Sequence, residues 1–365
     1  MINMQTITAL RKDGLPLRIL LLGFGNVGRA FCELFAERRP WLYSRFGIEG
    51  EIVGIGTRTR GCLYDPSGLP LQQILRQEAS TGRLDNVMTG KSFSSARDLL
   101  EYADYDMLVE CTTTNISEPK AAFGFMRTAM DRGVAVVTSN KGPLFLSYGQ
   151  LRDLAKNRGV PFLFEATVLA GTPFFSFVRH CLQGTRILSC EGVVNGTCNY
   201  ILDLMAQGSS FDEALLDARR KGYAEVEPLF DVEGADSAVK AAIIAQVLMG
   251  SPPVSLSDVQ VEGIRNVSGA MIREARRSGG NVRLVARVEA AEKAARITVK
   301  PEVLSGSHPL SNVNGAANGV LFVTDTLGEV FVAGGGIGPK QTAYALFRDV
   351  IEADVIGDCP MGYFF

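Results

Sequence analysis

Residues 17–28 read LRILLLGFGNVG, and a stretch of helical period, RAFCELFAERR, follows directly. Leu17 to Leu22 make the near-continuous apolar run expected of a strand buried on both faces of a parallel sheet. Strand, then G-x-G-x-x-G, then helix is the context that the dinucleotide-binding fingerprint requires. Gly23 makes the tight turn, Gly25 lets the backbone approach a pyrophosphate, and Gly28 lets helix and strand pack closely. Phe24, Asn26 and Val27 complete the cofactor loop, and the unpaired N–H groups of the helix start face the phosphates. The fold class is α/β, with an N-terminal Rossmann domain for NAD(P) over residues 1–160.

Outward from that turn, the next strand runs from Glu51 to Gly56 and ends in Thr57-Arg58-Thr59-Arg60. An acidic residue at this strand end would take the ribose 2′-hydroxyl of NAD. Two arginines suit the 2′-phosphate of NADP instead. Arg58 and Arg60 therefore join the cofactor set, with NADP as cofactor and NAD also compatible; the alternative is two solvated arginines. DPSGLPLQQIL and SFSSARDLLEYAD read as a loop and two helices. Two more buried strands follow, 106–111 and 134–138, and each ends in a polar turn. Ligands of open α/β sheets bind off such carboxyl ends. Thr112 and Thr113 in the first turn, and Lys141 in the second beside Gly142-Pro143, are placed at the nicotinamide.

After a last strand, PFLFEA, the alternation loosens and a second domain of α+β type, for substrate and dimerisation, spans 161–338. Its strands read as antiparallel (VRLVARVEA, ARITVKPEV, GVLFVTDTLGEVFVAGG), and Gly334 to Pro339 reads as a second glycine loop. Residues 339–365 are a C-terminal helix that packs back on the Rossmann domain. Within the second domain GYAEVEPLFDVEGADSAVKAA (222–242) gathers Glu225, Glu227, Asp231, Glu233 and Asp236 ahead of a buried helix that starts near Ala235. Asp236 and Lys240, spaced i, i+4, share one face of it. One reading is a surface ion pair with acids at a helix N-terminus. The other is a polar pocket for an amino-acid-like substrate, with carboxylates for its ammonium and a lysine for its reacting oxygen.

Composition sets the outer bounds. A chain of 365 residues carries a net charge of -2, with 46% hydrophobic and 21% charged residues. Nothing there favours nucleic acid or an anionic membrane as partner. The longest apolar runs are too short to span a bilayer, and the N-terminus has no signal-peptide pattern. Seven dispersed cysteines without a CxxC pair fit reduced thiols in the cytoplasm, and two histidines exclude a His-rich zinc site.

Seven motifs in order resemble homoserine dehydrogenase over nearly the whole chain: GFGNVG, TSNKGPL, FEATVLAGTP, NGTCNYIL, GYAEVEPLFDVEGADSAVKAA, VEGI and GGGIGPKQTA. The resemblance is to the short form of that family, which lacks the regulatory ACT domain. It implies NAD(P)-linked interconversion of L-aspartate 4-semialdehyde and L-homoserine, a step towards threonine and methionine, by a cytoplasmic homodimer. By the same resemblance Lys240 is the proton donor and Lys141 a second active-site lysine. Glu225 and Asp236 bind homoserine, together with Thr197 and Tyr223. Gly222 and Gly338 touch the cofactor. A monovalent cation, sodium, is held by Glu165 and the backbone carbonyls of Val168, Ala170 and Thr172. The chain departs from the family's usual pattern at Val226-Glu227-Pro228, where Ala-Asp-Pro is common, and at Leu169, where glycine is common.

Three rivals have to be weighed. A phosphorylating semialdehyde dehydrogenase needs a thiolate paired with histidine. His180 and Cys181 are neighbours on a helical stretch and point about 100° apart, and Cys198 at a helix start has no evident histidine. A non-catalytic dinucleotide-binding homologue leaves Glu225, Asp236, Lys240 and Lys141 without a purpose. A dehydrogenase of a related amino acid semialdehyde stays open because of Glu227.

Overall fold

The computed structural model describes residues 16–84, 90–224, 228–335 and 337–356. Among these, 16–167 with 342–356 form one unit and 168–341 a second. The first unit contains β1 (Leu17–Leu22), α1 (Asn26–Phe46), β2 (Gly50–Gly56), β3 (Cys62–Tyr64), α2 (Leu71–Thr81), β4 (Lys91–Phe93) and α3 (Ala96–Tyr102). It continues through β5 (Met107–Glu110), α4 (Lys120–Asp131), β6 (Ala135–Thr138), α5 (Lys141–Arg158) and β7 (Phe162–Leu163). Its sheet runs β4-β3-β2-β1-β5-β6-β7. The five strands from β2 to β7 are parallel, and β3 and β4 close one edge in antiparallel fashion.

Leu22, the last residue of β1, pairs with Gly56 on one side and Glu110 on the other. The strand order reverses between β1 and β5, so the carboxyl end of β1 lies at the topological switch point where such sheets bind ligands. Leu17, Ile19 and Leu21 enter one core cluster with Phe31 and Phe35 of α1, all fully buried or nearly so. Ala343, Leu346, Phe347 and Val350 of the last helix, α12 below, belong to the same cluster. Each such large side chain contributes about 1.5–3 kcal/mol by leaving water.

The second unit contains α6 (Phe175–Cys181), β8 (Ile187–Val193), α7 (Gly196–Ala206), α8 (Phe211–Arg220), α9 (Leu229–Val232) and α10 (Ala235–Met249). Then come β9 (Gln260–Val261), α11 (Gly269–Arg277), β10 (Asn281–Glu289), β11 (Arg296–Leu304), β12 (Ala317–Thr324) and β13 (Gly328–Gly335); α12 (Pro339–Ile356), which belongs from residue 342 to the first unit, closes the described chain. The sheet order is β13-β12-β8-β10-β11-β9. Phe174 and Phe177 stack on Phe322 of β12, with ring centroids 5.4 and 6.2 Å away. α10 packs on β10 and β11, which is why its Ala, Val and Ile side chains are buried almost all round.

Several elements differ from the sequence reading. β3 lies in residues 62–64, which the sequence reading assigns to no element, and β4 overlaps the start of SFSSARDLLEYAD; both are three residues long, too short to show a period. PFLFEA keeps only Phe162–Leu163 in the sheet, because the chain turns into a 3-10 turn at Glu165–Thr167 and the Glu165 N–H goes to the Asp349 carboxylate. Gly334 and Gly335 belong to β13 rather than to a loop. A Cβ on Gly334 would press on the Thr172 side chain, so glycine there admits a close approach. β9 pairs with β11 in parallel, so the second sheet is mixed.

Candidate active site

At the carboxyl end of β1 three glycines do three different jobs. Gly23 has φ 101°, and a Cβ there would overlap the Cys111 backbone. At Gly28 a Cβ would overlap the Gly23 carbonyl, so the start of α1 can lie on the turn only without a side chain. Gly25, the N-cap of α1, faces open space: no atom of the described residues beyond its chain neighbours lies within 4 Å of a Cβ built on it. Packing among the described residues therefore does not require glycine there. Phe24 is buried, whereas Gly25 and Asn26 are exposed and Val27 partly so.

The two arginines beyond β2 behave differently. Arg58 is exposed and has no ion-pair partner among the described residues. Arg60 turns inward, donating to the Phe24 carbonyl at 3.0 Å and pairing closely with Glu78 of α2. Glu78, 4% exposed, also takes Arg29 of α1 at 3.2 Å. Arg29 in turn donates to the Asn26 side chain at 2.8 Å. Sequence reading missed Glu78, because nothing local marks a buried acid on an otherwise polar helix.

The turns after β5 and β6 are tied together by Glu110, a fully buried carboxylate also missed in the sequence. It accepts from the Thr112 N–H at 2.9 Å, from the Thr112 hydroxyl, from Thr138 at 2.8 Å and from the Asn140 amide at 3.4 Å. Burial raises its pKa, and these donors oppose the rise. Asn140 caps α5 by accepting from the Gly142 N–H at 3.2 Å. Lys141 is thus the first residue of a helix rather than part of a free turn. Pro143 is tolerated because first-turn N–H groups have no helical partner. Lys141 is half-buried and Thr113 is exposed.

In the second unit, α10 carries Asp236 and Lys240 one turn apart, with the lysine Nζ 2.8 Å from the carboxylate. Their side chains are only 5% and 13% exposed, which removes the surface-pair reading. Lys240 also donates to the Val194 carbonyl at 2.7 Å. Next along the chain, Asn195 donates to both Asp231 at 2.7 Å and Asp236 at 2.9 Å. Its own oxygen caps α7 by accepting the Cys198 N–H. One asparagine thus holds two acids and a helix start together. Its place before a helix start, where asparagine is a preferred cap, was the available signal.

Thr197 donates to the Tyr223 carbonyl at 2.6 Å, which spends its proton on holding the turn after α8. The Tyr223 ring packs edge-on against Tyr200 at 5.1 Å. Gly222 is exposed with φ 72°, and Gly338 has φ 120° just before α12. Glu225 and Glu227 lie outside the described residues.

For the cation, the described residues contain no group of three or more His, Cys, Asp or Glu side chains placed to hold a metal. A site here has to draw on carbonyl and hydroxyl oxygens. Two observations in the 168–172 loop fit that. The buried Thr172 hydroxyl has no hydrogen-bond partner among the described residues, and Ala170, at φ 48°, is the one described non-glycine residue with a left-handed backbone. Leu169 is not left-handed, so the glycine common there is not required by this backbone. The Glu165 carboxylate sits 3.3 Å from Arg348.

A thiolate mechanism finds no support. Cys198 is fully buried, its S–H donates to the Asp231 carbonyl, and burial pushes its pKa well above the ordinary thiol value. His308 pairs with Glu191 at 3.0 Å.

The chain matches two family models, "Homoserine dehydrogenase, NAD binding domain" over residues 23–165 and "Homoserine dehydrogenase" over 173–351. It is 35% identical to an NAD(+)-dependent homoserine dehydrogenase of Pseudomonas canavaninivorans, over 92% of this chain and 95% of that one. With a homoserine dehydrogenase of Methanocaldococcus jannaschii the figures are 34%, 92% and 97%. A hyperthermophilic archaeal homoserine dehydrogenase in complex with NADPH superposes with TM-score 0.79 at 33% identity, covering 93% of this chain and 98% of that one. The Thermoplasma acidophilum homoserine dehydrogenase gives 0.79 at 27% identity, with 93% and 99% covered.

Proposed function

This chain belongs to the homoserine dehydrogenase family, and we propose for it the reversible reduction of L-aspartate 4-semialdehyde to L-homoserine, on the way to threonine and methionine. It is an NAD(P)-dependent oxidoreductase acting on a CH–OH group. The observation that carries the substrate reading is the buried Asp236–Lys240 pair, fixed by Asn195 and the Val194 carbonyl.

When bound, the nicotinamide supplies the hydride for the aldehyde carbon or takes it from the alcohol carbon. Lys240, held beside Asp236, protonates the alkoxide oxygen as the aldehyde is reduced and recovers that proton in the reverse direction. Lys141 is the second lysine of the site, and its charge steadies the developing oxyanion. Asp236 and Glu225 accept from the substrate ammonium, with Thr197 and Tyr223 shaping the turn beside them. A substrate amine left unpaired in a dry site costs several kcal/mol, roughly, which is the basis of specificity for an amino alcohol.

Gly23 to Gly28 with Arg58, Arg60, Thr112, Thr113, Gly222 and Gly338 make up the dinucleotide set, with NADP as the working cofactor. Sodium at Glu165, Val168, Ala170 and Thr172 is part of the proposal, supported by the orphaned Thr172 hydroxyl. So are a homodimer and a cytoplasmic location. Steady-state oxidation of L-homoserine with each nucleotide tests the reading. Turnover of homoserine well above that of other short amino alcohols is the expected result, and absence of turnover with either nucleotide overturns it.

A further inference from the structure

The proposed function leaves the choice between the two nucleotides to Arg58 and Arg60. We infer that Glu78 sets that choice, by taking Arg60 onto its own carboxylate and away from a 2′-phosphate. The inference rests on the dehydrogenase reading and goes one residue deeper into its nucleotide site. Three observations carry it. Arg60 stands where the turn after β2 meets the glycine loop, because it donates to the Phe24 carbonyl at 3.0 Å. That is the region in which Rossmann proteins distinguish a ribose hydroxyl from a ribose phosphate. Glu78 is almost fully buried and lies between two guanidiniums, those of Arg29 and Arg60, so its carboxylate is fixed in place by both. Arg58, exposed and unpartnered among the described residues, is then the cation left over.

The electrostatics follow directly. A 2′-phosphate brings negative charge towards a fixed carboxylate and has to compete with it for Arg60. A 2′-hydroxyl is neutral and pays neither penalty. Glu78 thereby cancels much of the preference for NADP that two arginines would create, and NAD is accepted beside it.

The test is a double-mutant cycle on Glu78→Gln and Arg60→Gln, read as the ratio of kcat/KM for NADP to that for NAD with homoserine as substrate. Glu78→Gln is expected to raise the ratio about tenfold or more, the range of one charge-assisted hydrogen bond. Arg60→Gln is expected to lower it below wild type, since Glu78 then faces the phosphate less compensated. In the double variant only the part of the gain that comes through Arg60 is lost, so the ratio lies above that of Arg60→Gln alone and below that of Glu78→Gln alone. A purely structural role for Glu78 would weaken both nucleotides alike and leave the ratio unmoved, and that result overturns the inference. Arg60→Gln alters a half-exposed side chain and keeps the test alive should Glu78→Gln fold poorly. Titration of the fluorescence of bound NADH and NADPH, without homoserine, separates the two levels. Unchanged affinity ratios in the variants sink the inference, whereas a shifted affinity ratio with no homoserine turnover sinks only the proposed substrate.

Discussion

Lys240 Nζ lies 2.8 Å from the Asp236 carboxylate, one helical turn earlier, and both side chains are nearly sealed from solvent. Such a pair costs desolvation that Coulomb attraction offsets only while both partners are present. Asp236→Ala is therefore expected to cost about 3–5 kcal/mol of stability. Homoserine kcat/KM should fall at least about a hundredfold, with nucleotide affinity preserved. Urea denaturation and steady-state kinetics on the same preparation measure the two effects separately.

Asn195 offers a sharper division between stability and chemistry. Asn195→Ala removes the α7 cap, a loss of about 1 kcal/mol, as well as the amide that bridges Asp231 and Asp236. Asn195→Asp keeps the cap oxygen but sets a third negative charge against two others. Both variants should lose homoserine turnover. A fully active Asn195→Asp would show that the bridge is not needed.

The glycine turn separates ligand space from packing space. Gly25→Ala should leave the melting temperature unchanged and raise KM for the nucleotide, because the new methyl meets nothing among the described residues. Gly28→Ala should lower stability by about 1–3 kcal/mol through overlap with the Gly23 carbonyl. Thermal melts beside nucleotide titrations decide both, and a destabilised Gly25→Ala would contradict the assignment.

Much of this was legible in the sequence, and the limits are physical. The Rossmann start showed because burial on both faces of β1 and three glycines in register leave a local pattern. The α10 helix showed through its run of small apolar residues with Asp236 and Lys240 four apart. Glu78, Glu110 and Asn195 did not show as site residues. Beyond the local bonds to Thr112 and Cys198, their partners are 18 to 49, 28 to 30, and 36 to 41 residues away, and no local spacing encodes such pairings. Asn140-Lys141-Gly142-Pro143 reads as a turn, although the asparagine is a cap and the proline falls in a helix's first turn.

Glu110 makes a prediction about pH. Its folded pKa is raised by burial, so between the ordinary glutamate value and the raised one the folded chain binds more protons than the unfolded chain. Its contribution is fully present below the ordinary value and is lost as pH rises through the raised one. The stability of wild type relative to Glu110→Gln should therefore fall from acid to neutral pH in chemical denaturation. A difference that stays flat, or grows with pH, contradicts the raised pKa.

Cys198 should resist alkylation, since burial holds it protonated. Iodoacetamide at mildly alkaline pH is expected to label the exposed Cys181 and leave homoserine oxidation intact. Rapid inactivation with Cys198 modified, traced by peptide mass, would revive a thiolate mechanism.

The most direct measurement is homoserine oxidation by wild type and Lys240→Ala, followed through the absorbance of reduced nicotinamide, with nucleotide affinity determined in parallel. Expected are turnover by wild type, a drop in kcat of about a hundredfold or more in the variant, and unaltered nucleotide binding. Near-wild-type turnover without the Lys240 ammonium would contradict its role as proton donor.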